Sequence, residues 1–262
     1  TPMFSRLLRA LNEVDGLERV RFTSPHPKDF RADTVAAMAE CGVVCEHIHL
    51  PVQAGSDRML RRMKRAYTRK SYLGKVEMVR AAIPGVAIST DIIVGFPGET
   101  DDEFDETMSL VAEARYDAAF TFQYSPRPMT EAADMDGQVP KAVVQERFER
   151  LAALQDAISL ERNQRHLDEI HEVIVEGASK KNPSRLSGRT RHNKLVHFQS
   201  DGARDGSIRT VMITGAHSHY LEGELTSGRS EDPRVERSRE PSRARVSLPL
   251  AGVAAAGSEG CV

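Results

Sequence analysis

The sequence contains no tryptophan, only three cysteines, and no apolar run of the length that a membrane span requires. A spanning helix needs ~18 to 20 apolar residues, and a disulfide-stabilised secreted domain needs paired cysteines. The 36 Lys and Arg residues almost balance 38 Asp and Glu residues, so the net charge is only -2. We therefore expect a cytoplasmic globular chain with no overall attraction to nucleic acids or membranes, on which any anion-binding surface is local.

The 262 residues, 40% of them hydrophobic, suffice for one large domain or two ordinary ones. The first residue is Thr1 rather than Met, and the first dozen residues are already amphipathic. We interpret the chain as part of a longer protein.

Strand-like runs alternate with helical patterns up to about residue 125, as in βαβ units on a parallel sheet. The predicted strands are residues 19–24, 47–52, 86–96 and 118–125. Four units are too few to close an eight-stranded barrel, so the α/β pattern indicates part of a barrel or an open doubly wound sheet. In both folds, ligands bind at the C-terminal ends of the strands.

The second part of the chain follows different patterns. Pro140 begins a long amphipathic helix that is predicted to end near residue 168. From His171 onward, period-two segments separated by turn residues predict a small antiparallel barrel of about five strands. Residues 227–262 are polar and then Ala/Gly-rich, and such a composition predicts disorder.

Several residues invite a functional interpretation that has a structural alternative. Asp91 lies within a predicted buried strand, where a carboxylate needs partners or a polar cavity. Cys41 and Cys45 have the spacing of two ligands of a CxxxCxxC cluster motif, but Ile48 stands at the third position, so buried structural cysteines are favoured. The pairs formed by His47 with His49 and by His217 with His219 lack a further ligand at metal spacing, and no metal site is predicted from them.

Basic residues are concentrated in two segments. Residues 58–70 carry seven cations, which are typical of a solvated helix face. Residues 176–199 carry six cations and the single acid Glu176, a local excess of 6 − 1 = +5. A basic loop and strand on a small β-barrel favour RNA phosphates as ligands.

Five segments occur in one order along the chain: TSPHPKDF (23–30), CEHIHLPVQAGSDRMLRRMKRAYTR (45–69), STDIIVGFPGETDDEF (89–104), AAFTFQYSPRP (118–128) and VEGASKKNPSRLSGRTRHNKLVHF (175–198). Together they resemble the radical-SAM tRNA methylthiotransferases, from about residue 4 to residue 226. The resemblance implies that residues 1–139 are the C-terminal part of a partial TIM-type barrel and that residues 140–170 form a connecting helix. It implies an OB-like, RNA-binding TRAM barrel over residues 171–226.

For this family, the resemblance implies S-adenosylmethionine and two 4Fe-4S clusters as cofactors and tRNA as the partner. The reaction adds a methylthio group to C2 of N(6)-dimethylallyladenosine beside the anticodon, and the cofactor supplies the radical chemistry. The cluster cysteines of the family have no match in this sequence, so catalysis by this chain alone is not expected. A non-catalytic RNA-binding module and a methylthiotransferase acting on a ribosomal protein remain as alternatives.

The resemblance also assigns site residues, although it assigns no catalytic residue. The S-adenosylmethionine contacts would fall on the strand-end residues Gln53, Ser56, Asp91, Gly95 and Glu99. The RNA contacts would fall on the basic barrel residues Lys180, Lys181, Arg185, Arg189, Arg191 and Lys194.

Overall fold

The computed structural model describes residues 3–23, 26–180, 182–200 and 202–226. The helices within these ranges are α1 (Met3–Asn12), α2 (Ala32–Glu40), α3 (Asp57–Arg62), α4 (Arg69–Ala82), α5 (Asp101–Ala114) and α6 (Lys141–Gln164), with a short 3-10 helix at Glu131–Ala133. The strands are β1 (His47–His49), β2 (Ala87–Val94), β3 (Ala118–Gln123), β4 (Ile170–Ala178), β5 (Arg185–Thr190), β6 (Leu195–Gln199), β7 (Ile208–Ala216) and β8 (Leu221–Leu225). None of the described helices has the length and apolarity needed to cross a membrane. The predicted disordered segment, 227–262, lies outside the described residues.

The first half of the structure is a parallel sheet in the order β1-β2-β3. Ile48 is paired with Ile88, and Asp91 is paired with Phe120. Helices pack on one side of this sheet and form an apolar core around Ile48, Ile88 and Ile92. The predicted α/β class with a parallel sheet is confirmed.

The strand predicted over residues 19–24 is wrong as a regular element. Val20 forms one isolated parallel bridge to Val44. The flanking Arg19 and Arg21 instead donate to main-chain carbonyls of the small barrel, including those of Arg189 and Thr190. These contacts hold the segment against the barrel, and only one residue remains in register with the sheet.

The other predicted strands are present but shorter than their apolar runs. Pro51 follows β1 closely and has no N–H group with which to continue the ladder. Gly95, directly after β2, has a φ of 74°, a left-handed conformation that turns the chain out of the strand. Helix α5 begins with a capping box, in which Thr100 and Glu103 each accept a hydrogen bond from the other's backbone N–H.

Helix α6 connects the two halves and begins directly after Pro140, as predicted. Its buried face, which includes Val144, Leu151 and Ile158, belongs to the core of the sheet. The helix ends at Gln164, four residues before the predicted end, because the next residues form a turn in which Asp168 adopts a φ of 62° and donates its N–H to the Ile213 carbonyl.

The second half of the structure is a closed five-stranded barrel in the order β4-β5-β6-β8-β7. The number of strands agrees with the prediction, but the barrel is not wholly antiparallel, because β6 and β8 pair in parallel. Closure requires close backbone contacts. A Cβ at Gly188 would lie 2.4 Å from the Ile174 carbonyl oxygen, and a Cβ at Gly223 would lie 2.4 Å from Val211 Cγ1. The interior is filled by eight apolar side chains: Val173, Val175, Leu186, Val196, Phe198, Val211, Ile213 and Leu221.

Candidate functional site

The side of the sheet opposite the helices carries a set of polar and aromatic residues that we call the open face. Successive side chains of a strand point to opposite sides. Ile92 of β2 is fully buried among the helices, whereas Asp91 is partly exposed on the other side. The open face consists of His47, His49, Ser89, Asp91, Phe120 and Phe122.

A chain of polar contacts runs along the open face. Ser89 Oγ lies 3.1 Å from His47 Nε2 and 2.9 Å from His49 Nδ1. His49 Nε2 lies 3.3 Å from Asp91 Oδ2, and the His49 ring packs edge-on against Phe120. Burial lowers the pKa of His47 to about 4, so this imidazole is neutral near pH 7. The network orients Asp91 and leaves its carboxylate accessible to a ligand.

Gln53 lies directly beside Asp91 at the ends of the strands. The Gln53 N–H donates to the Asp91 carbonyl at 2.9 Å, and the Ile93 N–H donates to the Gln53 carbonyl at 2.9 Å. Gln53 has a φ of 74°, which costs a non-glycine residue roughly 1 to 2 kcal/mol. Two of the five predicted cofactor contacts are therefore neighbours at the carboxyl ends of parallel strands, where open α/β sheets bind ligands.

Ser56, the third predicted cofactor contact, is the N-cap residue of α3. Its hydroxyl accepts from the Met59 N–H at 3.4 Å and donates to Glu103 at 3.2 Å. Glu103 is also held by Arg58 at 2.6 Å. The Ser56 side chain therefore joins α3 to α5.

Gly95 and Glu99, the remaining two predicted contacts, bind each other and α6. The Gly95 N–H donates to Glu99 Oε2 at 2.8 Å, and Arg147 Nη1 lies 2.8 Å from the same oxygen. The Arg147 and Glu99 side chains are only 4% and 1% exposed. A Cβ at Gly95 would lie 2.4 Å from Val144 Cγ2. Glu99 is thus occupied by an internal ion pair, and the role of all five residues in cofactor binding stays a prediction.

A cavity of about 400 Å³ opens near the C-terminal end of β2. Its lining combines the basic end of α3 with apolar side chains that include Ile93, Phe96 and Met135. Arg62 in this lining donates to the Pro97 carbonyl at 3.0 Å. The lining also contains Glu131, which pairs with Lys64 at 2.6 Å, so apolar side chains and both signs of charge face this cavity.

The two described cysteines do not fit an iron–sulfur cluster. Both Cys41 and Cys45 are free and buried, Cys41 ends α2, and burial raises the pKa of its thiol. A cluster needs accessible thiolates at each of its protein positions. The sequence prediction that this pair is structural agrees with their burial in the core.

Three of the predicted RNA-contact residues lie toward solvent on the barrel. Lys180 is exposed. Arg185 pairs with Glu222 at 2.8 Å and Arg189 pairs with Glu176 at 3.4 Å, and both guanidinium groups remain about one third exposed. Lys181 lies outside the described residues. These cations could contact phosphates, since partly exposed ion pairs exchange partners at little cost.

Arg191 and Lys194 differ from these three cations, because acidic residues of the sheet hold their charged groups. Arg191 Nε lies 2.7 Å from Glu46, and its Nη2 donates to two carbonyls that follow α2. Lys194 Nζ lies 2.9 Å from Asp117, and both side chains are buried. The sequence showed a cationic strand but not that the sheet supplies acidic partners for it. These two residues join the barrel to the sheet, and their contact with RNA stays a prediction.

A cluster that the sequence analysis missed lies where α6 meets the barrel. His166 Nδ1 and His171 Nε2 each lie 3.0 Å from Glu169 Oε2. The three ligand-type atoms lie within 4.8 Å of one another. The spacing His-x-x-Glu-x-His was the available signal, but it crosses from a helix end into a strand, so that neither the helical nor the period-two pattern brings these side chains together.

Two family models match the chain. The Radical SAM superfamily model matches residues 2–111, and the TRAM domain model matches residues 165–226. The first segment contains strands β1 and β2 of the parallel sheet, and the second contains all five strands of the barrel.

Curated relatives extend this similarity across both segments. A tRNA-2-methylthio-N(6)-dimethylallyladenosine synthase of Mycobacterium avium is 54% identical over 222 residues, which is 83% of this chain and 31% of that protein. A synthase of the same name from Mycobacterium bovis is 51% identical over 258 residues, which is 95% of this chain and 50% of that protein. The chain thus spans about a third to a half of the length of these relatives. Among solved structures, the radical SAM enzyme coproporphyrinogen III oxidase of Escherichia coli aligns with a TM-score of 0.47 at 14% identity, covering 71% of this chain and 50% of that chain.

Proposed function

Because this chain belongs to the radical-SAM tRNA methylthiotransferase family, we propose that it is the part of such an enzyme in which the parallel sheet binds the cofactor and the small barrel binds the RNA. The reaction would add a methylthio group to C2 of N(6)-dimethylallyladenosine beside the anticodon. The observation that carries the proposal is the backbone hydrogen bond from the Gln53 N–H to the Asp91 carbonyl, which brings these two residues together where the chain leaves β1. The same chain continues into a closed five-stranded barrel.

The strand ends offer suitable contacts for S-adenosylmethionine. The Asp91 carboxylate can accept hydrogen bonds from ribose hydroxyls, while His49 holds it in place from the side. The Gln53 amide can both donate and accept beside it. When bound, S-adenosylmethionine supplies the methyl group and the radical chemistry of the family. The chain's own residues bind and orient it.

The iron–sulfur part of the proposal does not rest on the described cysteines, since Cys41 and Cys45 do not fit a cluster. The two 4Fe-4S clusters of the proposed enzyme would take their thiolates from elsewhere. Free, buried cysteines are also what a protein of the reducing cytoplasm contains, the compartment we propose for the enzyme.

The tRNA would contact the barrel through the cations that remain at its surface. Lys180, Arg185 and Arg189 lie on or beside β4 and β5, and their charged groups are exposed or partly exposed. Phosphate contacts of this kind position a nucleic acid, whereas contacts to bases select the nucleotide. We therefore expect the barrel to hold the tRNA and the sheet to face the modified base.

Nucleoside analysis of tRNA tests the proposal. The gene that encodes this chain is deleted, and digested tRNA is examined by mass spectrometry for methylthiolated and unmodified N(6)-dimethylallyladenosine. We expect the methylthio form to disappear and the precursor to accumulate, and we expect the intact gene to restore it. A gene carrying Asp91→Ala should fail to restore it although the protein accumulates normally, because the Asp91 side chain is partly exposed and pairs with His49 at the sheet surface.

Asp156→Ala, a change of an exposed carboxylate on α6, serves as the matched control and should restore modification fully. Unchanged tRNA together with loss of a methylthio group from a ribosomal protein would assign the chain to the alternative methylthiotransferase. Unchanged modification of both would leave a non-catalytic RNA-binding protein.

A further inference from the structure

The cluster of His166, Glu169 and His171 lies at the joint between α6 and β4, far along the chain from the strand ends discussed above. His166 follows the helix, His171 belongs to the strand, and Glu169 lies in the turn between them. The turn is fixed by its backbone: the Glu169 N–H donates to the His166 carbonyl at 3.1 Å, and the Ile213 N–H donates to the Glu169 carbonyl at 3.0 Å. The three side chains are therefore presented by an ordered turn.

The distances among the three atoms form a nearly equilateral triangle. His166 Nδ1 lies 3.2 Å from His171 Nε2, and each nitrogen lies 3.0 Å from Glu169 Oε2. Ligand atoms bound tetrahedrally to Zn²⁺ at about 2.0 to 2.1 Å are separated by about 3.3 Å from one another. An outward movement of a few tenths of an ångström would convert the triangle into three corners of a zinc tetrahedron.

Neutral imidazoles satisfy Glu169 Oε2 when both nitrogens carry a hydrogen and donate to that one oxygen, which leaves the 3.2 Å contact between the two nitrogens without a hydrogen bond. If either nitrogen lacks its hydrogen, a lone pair faces the carboxylate oxygen. A divalent cation at the centre of the triangle would be bound by one lone pair from each of the three atoms.

The surroundings also suit a metal ion. Both histidine side chains are only 13% exposed, whereas Glu169 is 54% exposed, so the site is shielded on the imidazole side and open to water on the carboxylate side. The ring of His192 packs against both imidazole rings. Its centroid lies 5.4 Å from that of the His166 ring and 5.8 Å from that of the His171 ring. This packing restricts the orientations of the two rings before any ion binds.

We propose that His166, Glu169 and His171 bind one Zn²⁺ ion, with water in the fourth position, and that the ion clamps the end of α6 to the first strand of the barrel. Two imidazoles and one carboxylate are a ligand set that zinc accepts. The proposal is independent of the methylthiotransferase activity, because the site lies outside the open face and the strand ends.

Zinc titration of the purified chain tests the clamp. The chain is prepared with Cys261→Ser to remove a terminal thiol, stripped with a chelator, and titrated with Zn²⁺ and separately with Co²⁺. We expect about one equivalent of zinc to remain bound after desalting, a visible absorption spectrum of four-coordinate Co²⁺, and a melting temperature raised by about 5 °C or more at saturating zinc.

Two variants and one control decide the result. Glu169→Gln and His171→Ala should abolish the retained zinc, the cobalt spectrum and the shift in melting temperature. His219→Ala, which removes an exposed histidine elsewhere, should leave all three unchanged. If His171→Ala does not fold, Glu169→Gln, which keeps the shape of the side chain, decides alone once its circular dichroism matches that of the parent. Zinc retention by the variants equal to that of the parent, or no retention by the parent, would overturn the proposal.

Discussion

Lys194 Nζ lies 2.9 Å from Asp117 Oδ1, and the two side chains are only 8% and 7% exposed. Lys194 directly precedes β6 of the barrel, and Asp117 directly precedes β3 of the sheet. The Asp117 carboxylate also accepts from Arg162 of α6 at 3.0 Å and from the Ile88 N–H at 2.9 Å. Burial alone would raise the pKa of Asp117, but Lys194 and Arg162 hold it below its usual value. One carboxylate therefore joins sheet, helix and barrel.

We predict that Lys194→Met lowers the free energy of unfolding by about 3 kcal/mol, because it removes one cation from a buried pair and leaves Asp117 partly unpaired. Urea denaturation followed by circular dichroism measures the change. Lys180→Met is the matched control and should change the free energy by less than about 0.5 kcal/mol, since Lys180 is exposed. Equal stability of the two variants would show that the pair does not hold the barrel in place.

A second prediction concerns the stability of the chain in mild acid. Burial lowers the pKa of His47 to about 4, below its ordinary value of 6.5. As the pH falls, His47 therefore takes up a proton at a higher pH in the unfolded chain than in the folded one. Its contribution to the free energy of unfolding is fully present above pH 6.5 and is lost as the pH falls toward 4. The loss attributable to His47 should reach about 3 kcal/mol.

Unfolding free energies measured across this pH range test that prediction. His47→Gln should make the profile shallower, because glutamine does not titrate, while His192, whose pKa burial also lowers to about 4, keeps part of the slope. His219→Gln removes a histidine that is 77% exposed and should leave the profile unchanged. A His47→Gln profile as steep as that of the parent would contradict the assignment.

A third prediction concerns iron. The chain reconstituted with iron and sulfide should hold no stoichiometric four-iron cluster, because Ile48 replaces the third cysteine of the motif and Cys41 and Cys45 are buried. Iron analysis and absorption near ~400 nm measure the outcome. A Cys41→Ser, Cys45→Ser double variant is the control and should give the same low iron content. About four irons per parent chain, lost in the double variant, would reverse the conclusion.

A fourth prediction concerns tRNA. Binding of unmodified tRNA to the whole chain should weaken with salt, with a log-log slope of roughly −1.5 to −2.5, because about two to three exposed barrel cations displace counterions. Lys180→Glu with Arg189→Glu should flatten the slope by about 1.5 units. Arg150→Glu on the exposed face of α6 is the matched control and should not. An unchanged slope in the double variant would mean that the tRNA lies on another surface.

The local elements of this protein were predictable from its sequence. The capping residues Thr100 and Glu103, the start of α6 at Pro140, and the change from helical to period-two spacing near His171 each depend on residues close together in the chain. The resemblance to one family rested on motifs of the same kind. Such features form from neighbouring residues, whose preferences a sequence records directly.

The partners of charged groups could not be predicted, because tertiary contacts decided them. The cationic segment at residues 176–199 looked like one RNA-binding surface, yet Arg191 and Lys194 meet Glu46 and Asp117 from a sheet more than seventy residues earlier in the chain. Ser56 and Glu99 likewise pair with acids and bases of other helices. A sequence gives the sign of each charge, but only the packing of sheet, helix and barrel determines which charges are neutralised inside and which remain for a ligand.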